Sequence, residues 1–330
     1  MKRRRSRRWR LGVVAGLSAL LPVWARAQSG VSVEGGLFLL RPIGARAVGA
    51  GQAVVARTDG SEAAWWNPAG LAAMTRREVA IHHSQDFFAT GDAISLIVPS
   101  SLLGVIGLSA DIEDFGEQEN TTAPGSPPSG TILPRSFVLS AAYATPIGNH
   151  LRTGVAFKVV QLRLDCTGPC DLPTSVAQTF ALDAGAQYTF GRARRLTLGA
   201  SARNLGLPLQ VEDSPQADPL PSRVQVGLDY RIPLPDSYSH DADVNVSLDV
   251  IDGLHIGRPL PRAGAEFIWQ KRAFVRTGYV FESSASDASG PSLGLGVVSR
   301  NFIIDIARVF TGFSADAGQA PTYLSLRIEF

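Results

Sequence analysis

The stretch SRVQVGLDYRI, residues 222–232, alternates strictly between polar and apolar side chains from Arg223 onward. Its valines, leucine, tyrosine and isoleucine fall on one side, and its arginines, glutamine, glycine and aspartate fall on the other. A period of two residues places alternate side chains on opposite faces of an extended strand. The stretch therefore predicts a β-strand with one apolar face and one polar face.

The same alternation recurs along the chain, as in TFALDAGAQYTF (179–190) and ADVNVSLDV (242–250). No long amphipathic helical pattern competes with it after residue 77, so the fold class is predicted to be all-β. Fourteen segments show the pattern, at roughly 77–87, 91–99, 103–116, 134–146, 151–165, 175–190, 195–207, 221–233, 242–252, 261–270, 273–283, 290–299, 301–311 and 321–330.

The connections between these segments alternate in length. Odd-numbered segments are mostly followed by long polar loops such as EQENTTAPGSPPSG (117–130), and even-numbered segments mostly by short turns such as GRARR (191–195). This asymmetry is typical of an outer-membrane barrel. A secreted β-sandwich is the alternative, but the polar faces carry Gly, Ser, Thr and Asn rather than the Lys and Glu of a solvated face. The sequence favours a 14-stranded antiparallel transmembrane β-barrel.

Residues 1–27 have the three parts of a secretory signal peptide. MKRRRSRRWR is strongly basic, LGVVAGLSALLPVW is apolar, and Ala25-Arg26-Ala27 matches a small-residue cleavage site. We predict cleavage before Gln28 and residence in the outer membrane of a Gram-negative-type envelope. A cytoplasmic basic tail is the alternative, and it does not explain the apolar stretch.

The C-terminal residues YLSLRIEF end on an aromatic side chain, with Leu326, Ile328 and Phe330 in step. This pattern resembles the terminal signal by which the barrel-assembly machinery recognises outer-membrane barrels. That machinery and outer-membrane lipid are therefore predicted partners. The formal net charge of +2 gives no indication of nucleic-acid binding.

Both cysteines of the chain, Cys166 and Cys170, lie in the turn-forming stretch CTGPC. An even cysteine count in an oxidising compartment favours a disulfide that closes a small loop. Half of a metal site is the alternative, but potential partner ligands are missing from the neighbouring sequence. We predict the disulfide.

Residues 28–76 precede the predicted barrel (77–330) and have a different composition, rich in Gly and Ala with few charges. We predict that they form a short helical hatch folded inside the barrel as a plug. A periplasmic cap outside the barrel is the alternative. In the plug, Trp65 and Trp66 are expected to fill lumen volume and to donate their N–H groups to polar partners on the wall.

The stretch DGSEAAWWNPAGLAAM, residues 59–74, predicts a helical elbow. Asp59 and Glu62 have the spacing of a capping box, which starts a short helix. The helix must end before Pro68, because a residue that precedes proline is disfavoured in the helical conformation. Asn67 is then expected to cap a second helical turn, with Pro68 at its first position.

The stretch that runs from Gly44 to Met74 resembles the N-terminal signature of the FadL-type outer-membrane barrels, and most closely that of their PorV/PorQ branch. The resemblance implies a fourteen-stranded barrel with an N-terminal hatch. It makes these motif residues, together with Trp65 and Trp66, candidates for ligand contact or gating. The signature is carried by Gly44, Ala45, Arg46, Gly49, Gly51, Ala53, Asp59 and the run Asn67-Pro68-Ala69-Gly70-Leu71.

No catalytic constellation, cofactor motif or metal-ligand cluster is recognisable in the sequence, and we expect a protein without enzymatic activity. His82 and His83 are adjacent, so on a strand they point to opposite faces and cannot share one metal ion. A set of charged residues faces the inferred lumen and is expected to form an ion-pair network between wall and plug. The set consists of Asp183, Asp229, Asp243, Asp249, Glu266, Arg223, Arg231 and Arg276.

Two functions fit these features. The first, which the PorV/PorQ resemblance implies, is a secretion or surface-attachment component that binds exported proteins. The alternative is a FadL-like transporter for long-chain fatty acids or other hydrophobic compounds. An apolar pocket at the tryptophans would favour transport, and a closed polar lumen would favour partner binding. A purely structural barrel is a third possibility.

Overall fold

The structure is a computed structural model that describes residues 34–121, 125–168, 175–211, 217–254, 258–281, 289–312, 314 and 318–330. The predicted signal peptide, residues 1–27, and the first residues of the predicted hatch lie outside the described residues. Cys170 also lies outside them, so its disulfide with Cys166 stays a prediction.

Fourteen antiparallel strands form one sheet, and each pairs with its neighbours in sequence. The first strand also pairs with the last, with Glu78 opposite Glu329 and Gln85 opposite Thr322, so the sheet closes into a barrel. The strands are β1 Glu78–Gln85, β2 Thr90–Ser100, β3 Gly104–Asp114, β4 Gly130–Ile147, β5 Leu151–Thr167, β6 Ser175–Phe190, β7 Leu196–Gly206, β8 Arg223–Ile232, β9 Ala242–Gly253, β10 Leu260–Trp269, β11 Ala273–Val280, β12 Gly290–Ser299, β13 Phe302–Val309 and β14 Thr322–Glu329.

The two faces of the barrel wall are the reverse of those in a water-soluble β-protein. On β8, the outward side chain of Val226 is 50 % exposed, whereas the inward side chain of Gln225 is 1 % exposed. Closure gives every strand edge a hydrogen-bonding partner, which a lipid environment requires because no water satisfies an open edge there. The predicted all-β, 14-stranded barrel with apolar side chains outward is confirmed.

The barrel has two unlike ends. The connections after odd-numbered strands lie at one end, which we call the loop end, and those after even-numbered strands lie at the other, which we call the turn end. At the loop end, β4 begins four residues earlier than the predicted segment 134–146. The reason is that the β3–β4 connection folds back, and Gln118–Asn120 pairs with residues 130–132 as a short extra strand. A second short hairpin, Leu209–Gln210 with Ala217–Asp218, lies in the β7–β8 loop.

The helices are short and lie mostly in the N-terminal segment before β1. That segment contains α1 Ala45–Gly49, α2 Ala63–Trp66, and two 3-10 helices at Leu37–Leu40 and Pro68–Ala73. A further short helix, α3 Asp236–Ser239, occupies the β8–β9 turn. None of the described helices has the length and apolar character to cross a membrane.

The N-terminal segment, residues 34–76, lies against the lumenal face of the wall at distances that only glycine permits. Glycines on six strands face it, and a Cβ atom on any of them would come within 3 Å of a backbone or side-chain atom of the segment. We call this set the glycine layer. It consists of Gly154, Gly185, Gly199, Gly264, Gly278 and Gly294.

Gly51 is a glycine of the segment itself that lies directly against the wall. It has a φ of 63°, in the left-handed region, and a Cβ atom there would lie 2.6 Å from Tyr279 N and 2.9 Å from Gly278 Cα. Its amide donates to Ser292 Oγ at 3.1 Å. The turn and the close approach both require glycine at this position.

We expect Gly51→Ala to lower the free energy of unfolding by about 2–4 kcal/mol, because it adds a steric clash to the cost of a left-handed alanine. Gly148→Ala is the matched control. Gly148 has a φ of 64°, and a Cβ atom there would meet nothing within 4 Å, so that variant should lose only about 1 kcal/mol. Urea unfolding in detergent micelles, followed by tryptophan fluorescence, measures both. Equal losses would mean that the close approach contributes nothing.

Candidate functional site

The elbow at Asn67 and Pro68 fixes the N-terminal segment, residues 34–76, to the wall, and we use the name hatch for this segment below. Asn67 is fully buried, and its Oδ1 accepts from the Ala69 amide at 3.1 Å, as predicted for a helix N-cap. Pro68 occupies the first position of the following 3-10 helix. The Asn67 Nδ2 group donates to Val55 O at 2.7 Å and to Ala186 O of β6 at 3.3 Å. One side chain therefore joins the elbow, an earlier turn of the hatch and the barrel wall.

The predicted capping box at Asp59 and Glu62 is wrong. Glu62 precedes α2 but its carboxylate caps α1, where it accepts from the amides of Arg46 at 3.2 Å and Ala47 at 3.0 Å. The amides of the first helical turn have no partner within the helix and therefore attract a carboxylate. In the folded chain, the first turn of α1 lies next to Glu62. Asp59 forms an ion pair with Arg46 instead. Gly44 allows Glu62 to cap α1, because a Cβ atom at position 44 would collide with the Glu62 side chain.

The carboxyl groups of the hatch differ in their acid–base character. Burial raises the pKa of Glu62 above its usual range, although the Arg327 and Arg46 guanidinium groups act in the opposite direction. Burial also acts to raise the pKa of Asp59, but the ion pair with Arg46 outweighs it and holds that pKa below the usual range. The Asp59–Arg46 pair therefore stays charged at neutral pH and binds two parts of the hatch together.

A buried charge cluster joins hatch and wall between the glycine layer and the turn end. Arg276 Nε lies 2.7 Å from Glu266 Oε1, and Arg276 Nη1 lies 2.5 Å from Asp305 Oδ1. Arg327 pairs with Asp305 at 2.9 Å, and Arg57 of the hatch pairs with Glu266. The predicted wall-to-plug network is therefore present around Arg276 and Glu266.

Most other members of the predicted set lie apart from this cluster. Asp183 pairs with Lys158 at 2.6 Å, and Asp249 accepts from the Val55 amide of the hatch at 2.9 Å. Asp229 accepts from Ser247 at 2.7 Å and is connected to the cluster, because its Oδ1 lies 3.9 Å from Arg57 Nε. Arg231 is exposed and donates to Ala193 O at 3.2 Å.

Arg223 pairs with Glu34 of the hatch at 2.8 Å. Asp243 is half-buried on β9 and forms no ion pair with a described residue. The predicted single network is therefore too broad. Lys158, Asp305 and Arg327 are not in the predicted set, although their alternation with apolar neighbours places them on the lumenal face.

The two adjacent histidines point to opposite faces, as predicted. His82 is buried and lies 2.8 Å from Ser325 Oγ and 3.3 Å from Ser61 Oγ of the hatch. His83 is exposed and lies 2.8 Å from Asp92. Within the part of the chain that is described, no group of three or more His, Cys, Asp or Glu side chains is arranged to hold a metal ion.

Trp65 and Trp66 fill lumen volume, as predicted, with 6 % and 4 % of their surface exposed. The prediction of polar wall partners for their N–H groups is wrong. Trp66 Nε1 donates to Ile43 O of the hatch at 2.8 Å. Trp65 Nε1 is buried without a hydrogen-bond partner among the described residues.

Arg203 of β7 is a wall residue that contacts both tryptophans. Its guanidinium carbon lies 4.9 Å from the centre of a Trp66 ring, a cation–π distance, and its Nη1 donates to Trp65 O at 3.2 Å. A bulge between β6 and β7 adds one residue on β7 beside Arg203. Asn204 takes a left-handed φ of 59° there, and its amide donates to Asp183 at 2.8 Å. Such bulges redirect side chains, and nothing in the alternation of the sequence indicates this one.

A cavity of about 380 Å³ lies between Trp66, the start of the hatch and the wall, at the loop end of β7, β8, β9, β10, β11, β13 and β14. Its lining is mainly apolar, with three arginines at its border. The lining residues are Leu40, Pro42, Gln52, Trp66, Arg203, Arg223, Ile251, Gly253, Leu260, Arg262, Val280, Val309, Pro321 and Tyr323.

Residues 34–43, which we call the strap, border this cavity and are held at both ends by ion pairs. Glu34 receives two hydrogen bonds from Arg223 of β8, at 2.9 and 2.8 Å. Arg41 lies 3.0 Å from Asp86 beyond β1 and 3.4 Å from Glu113 of β3. The strap therefore crosses the lumen at its loop end.

The predicted motif residues thus divide into two groups. Trp66 borders the cavity. Gly49 and Gly51 lie at the glycine layer, and Arg46 and Asp59 lie in the contacts between that layer and the turn end. The motif accordingly fixes the position of the hatch more than it lines the cavity.

Three solved structures share this fold. The toluene transporter TbuX of Ralstonia pickettii has a TM-score of 0.60 at 12% identity, over 89% of this chain and 100% of that one. The toluene transporter TodX of Pseudomonas putida has a TM-score of 0.56 at 13% identity, over 90% and 97%. A FadL homologue of Pseudomonas aeruginosa has a TM-score of 0.50 at 12% identity, over 88% and 98%.

The chain therefore shares the barrel fold of these two toluene transporters and this FadL homologue. No protein-family model matches the sequence, and no curated protein matches it significantly. None of these findings tests the PorV/PorQ branch, which stays a prediction.

We expect Arg276→Gln to lower the free energy of unfolding by about 3–5 kcal/mol, because it leaves the buried Glu266 and Asp305 without their shared cation. Arg231→Gln removes an exposed arginine from the same barrel and should cost less than about 1 kcal/mol. Urea unfolding in micelles compares the two variants. A small effect of Arg276→Gln would show that the cluster does not stabilise the barrel.

Proposed function

We propose that this chain is an outer-membrane channel for hydrophobic compounds and that residues 34–76 form the hatch that controls it. The observation that carries the proposal is the apolar cavity at the loop end, bounded by Trp66 of the hatch. Its volume of about 380 Å³ lies within the range of small-molecule sites, about 300–1,000 Å³. The fold that the chain shares with two toluene transporters and a FadL homologue also supports the proposal of a channel for hydrophobic compounds.

The chemistry of the cavity favours a largely apolar ligand. Leu260, Ile251, Val280 and Val309 line it from four strands, and transfer of apolar surface out of water provides the binding free energy. Arg223 is already paired with Glu34. The lining therefore presents Arg203 and Arg262, rather than Arg223, to the carboxylate of a ligand. An uncharged hydrocarbon and a long-chain fatty acid are accordingly the two ligand classes to compare.

Passage through the barrel requires the hatch to move. The glycine layer brings its backbone against six strands, and the charge cluster holds it below that level. Ligand that enters the cavity thus meets a closed floor. Binding can open the path only if the ligand interacts more favourably with a displaced hatch than with this one.

A specific observation also favours the other candidate. Below the cavity, the lumen is filled by hatch and polar wall groups that are paired with each other, such as Asn67, Glu62 and Arg276. A filled polar lumen fits a barrel that binds exported proteins at its surface, as the PorV/PorQ resemblance implies. This role is the second proposal, and a structural barrel without either activity is the remaining possibility. No enzymatic reaction is proposed.

Equilibrium binding of radiolabelled toluene and oleate to the purified protein in micelles tests the first proposal. We expect saturable binding of at least one probe, and Leu260→Asp should weaken it about tenfold or more, because the change places a carboxylate in the apolar lining. Leu102→Asp, on an exposed turn residue at the opposite end, should leave affinity unchanged.

Non-saturable binding of both probes, or equal loss in the two variants, would contradict a ligand site in the cavity. Stoichiometric recovery of exported proteins with the native barrel, combined with such a result, would support the secretion role instead.

A further inference from the structure

The turn end carries many exposed cationic side chains and few acidic ones. The acidic residues described at this rim, exposed or half-exposed, are Asp236, Asp241, Asp243 and Glu329. The exposed cationic residues described there are Arg76, Arg77, Arg192, Arg194, Arg195, Arg231, Lys271, Arg272 and Arg300. We call this second set the basic arc.

The charge of the basic arc is largely uncompensated within the described chain. Arg76 pairs with Glu329 at 3.3 Å. Arg194 donates to the carbonyl oxygen of Asn149 at 3.0 Å, which leaves its charge in place. Among the described residues, the other members of the arc form no ion pair. A rim of this kind attracts anions.

The arc follows the circumference of the barrel and does not form one compact patch. Its members lie in the β6–β7, β10–β11 and β12–β13 turns, at the end of β8 and just before β1. They therefore recur about every second strand around a large part of the rim. Small ligands that surround the barrel fit this distribution better than a single protein, whose footprint would cover one side.

The neighbouring aromatic side chains place the arc at the level of lipid headgroups. Phe190, Trp269 and Phe302 are exposed on the outer face, and aromatic side chains in such positions mark the membrane interface. Arg192, Lys271 and Arg300 are each two residues beyond one of them, which is about 7 Å at most along a strand.

On the part of the same rim without cations, Leu102 is 93 % exposed and Leu103 is 66 % exposed in the β2–β3 turn. Side chains of this kind favour contact with an interface over contact with water. Their position supports a lipid partner for the rim as a whole.

We propose that the basic arc binds the phosphate groups of anionic phospholipids in the leaflet at the turn end. The inference rests on the membrane placement of the barrel and is independent of the ligand in the cavity. Each guanidinium can donate two hydrogen bonds to a phosphate, and the three arginines of the β6–β7 turn allow one headgroup to be held by more than one side chain.

The test reconstitutes the full barrel into nanodiscs of phosphatidylcholine with phosphatidylglycerol as the minor component. Native mass spectrometry counts the lipids that stay bound. We expect phosphatidylglycerol to be enriched about fivefold over its bulk share. The triple variant Arg192→Gln, Arg194→Gln, Arg195→Gln should lose roughly half of that enrichment.

The matched control removes three exposed arginines from the loop end, as Arg135→Gln, Arg163→Gln, Arg308→Gln, and should keep the enrichment. If the first triple variant does not fold, Lys271→Gln, Arg272→Gln, Arg300→Gln tests the other side of the arc. An equal lipid ratio in wild type and bulk would overturn the proposal, as would equal losses at the two ends. Capture of an acidic soluble protein without lipid enrichment would also overturn it.

Discussion

The close backbone approach between hatch and wall is the constraint on which the rest of the structure depends. Lumen-facing glycines on six strands allow the hatch to lie directly on the sheet, so a side chain at any of these positions would push it away. This contact fixes the height of the hatch in the barrel. The cavity above it and the charge cluster below it both follow from that height.

The cavity, the glycine layer and the charge cluster form three levels of the lumen, and they differ in physical character. At the loop end, apolar side chains and Trp66 enclose space. At the glycine layer, backbone lies against backbone. Toward the turn end, Arg57 of the hatch forms an ion pair with Glu266, which belongs to a buried charge cluster of the wall that also contains Arg276 and Asp305. A buried ion pair stabilises less than its geometry suggests, because desolvation offsets much of the attraction. When the hatch is displaced, Glu266 loses Arg57 but keeps its ion pair with Arg276, so its charge does not become unpaired.

The strands could be predicted because the two-residue period depends only on neighbouring residues, and each wall strand keeps its apolar side chains on one face and its polar side chains on the other. The cap at Asn67 could be predicted for the same reason, since its partner lies two residues away. Glu62 could not be assigned correctly, because the amides it caps lie in α1, 15 and 16 residues earlier. Arg203 reaches the tryptophans through a bulge, and the cavity is formed by seven strands and the hatch together. These are tertiary features that neither spacing nor composition reveals.

The most direct test of the account is whether the hatch must move for a compound to pass. Ala45 N lies 2.9 Å from Ser325 Oγ of β14, so the double variant Ala45→Cys, Ser325→Cys can tether the hatch to the wall. The measurement is toluene influx into vesicles that contain the oxidised or the reduced variant, with oxidised and reduced wild type as controls. The account predicts that oxidation abolishes influx and that reduction restores it, with no change in the wild type. Equal influx through the tethered and the free hatch would contradict it.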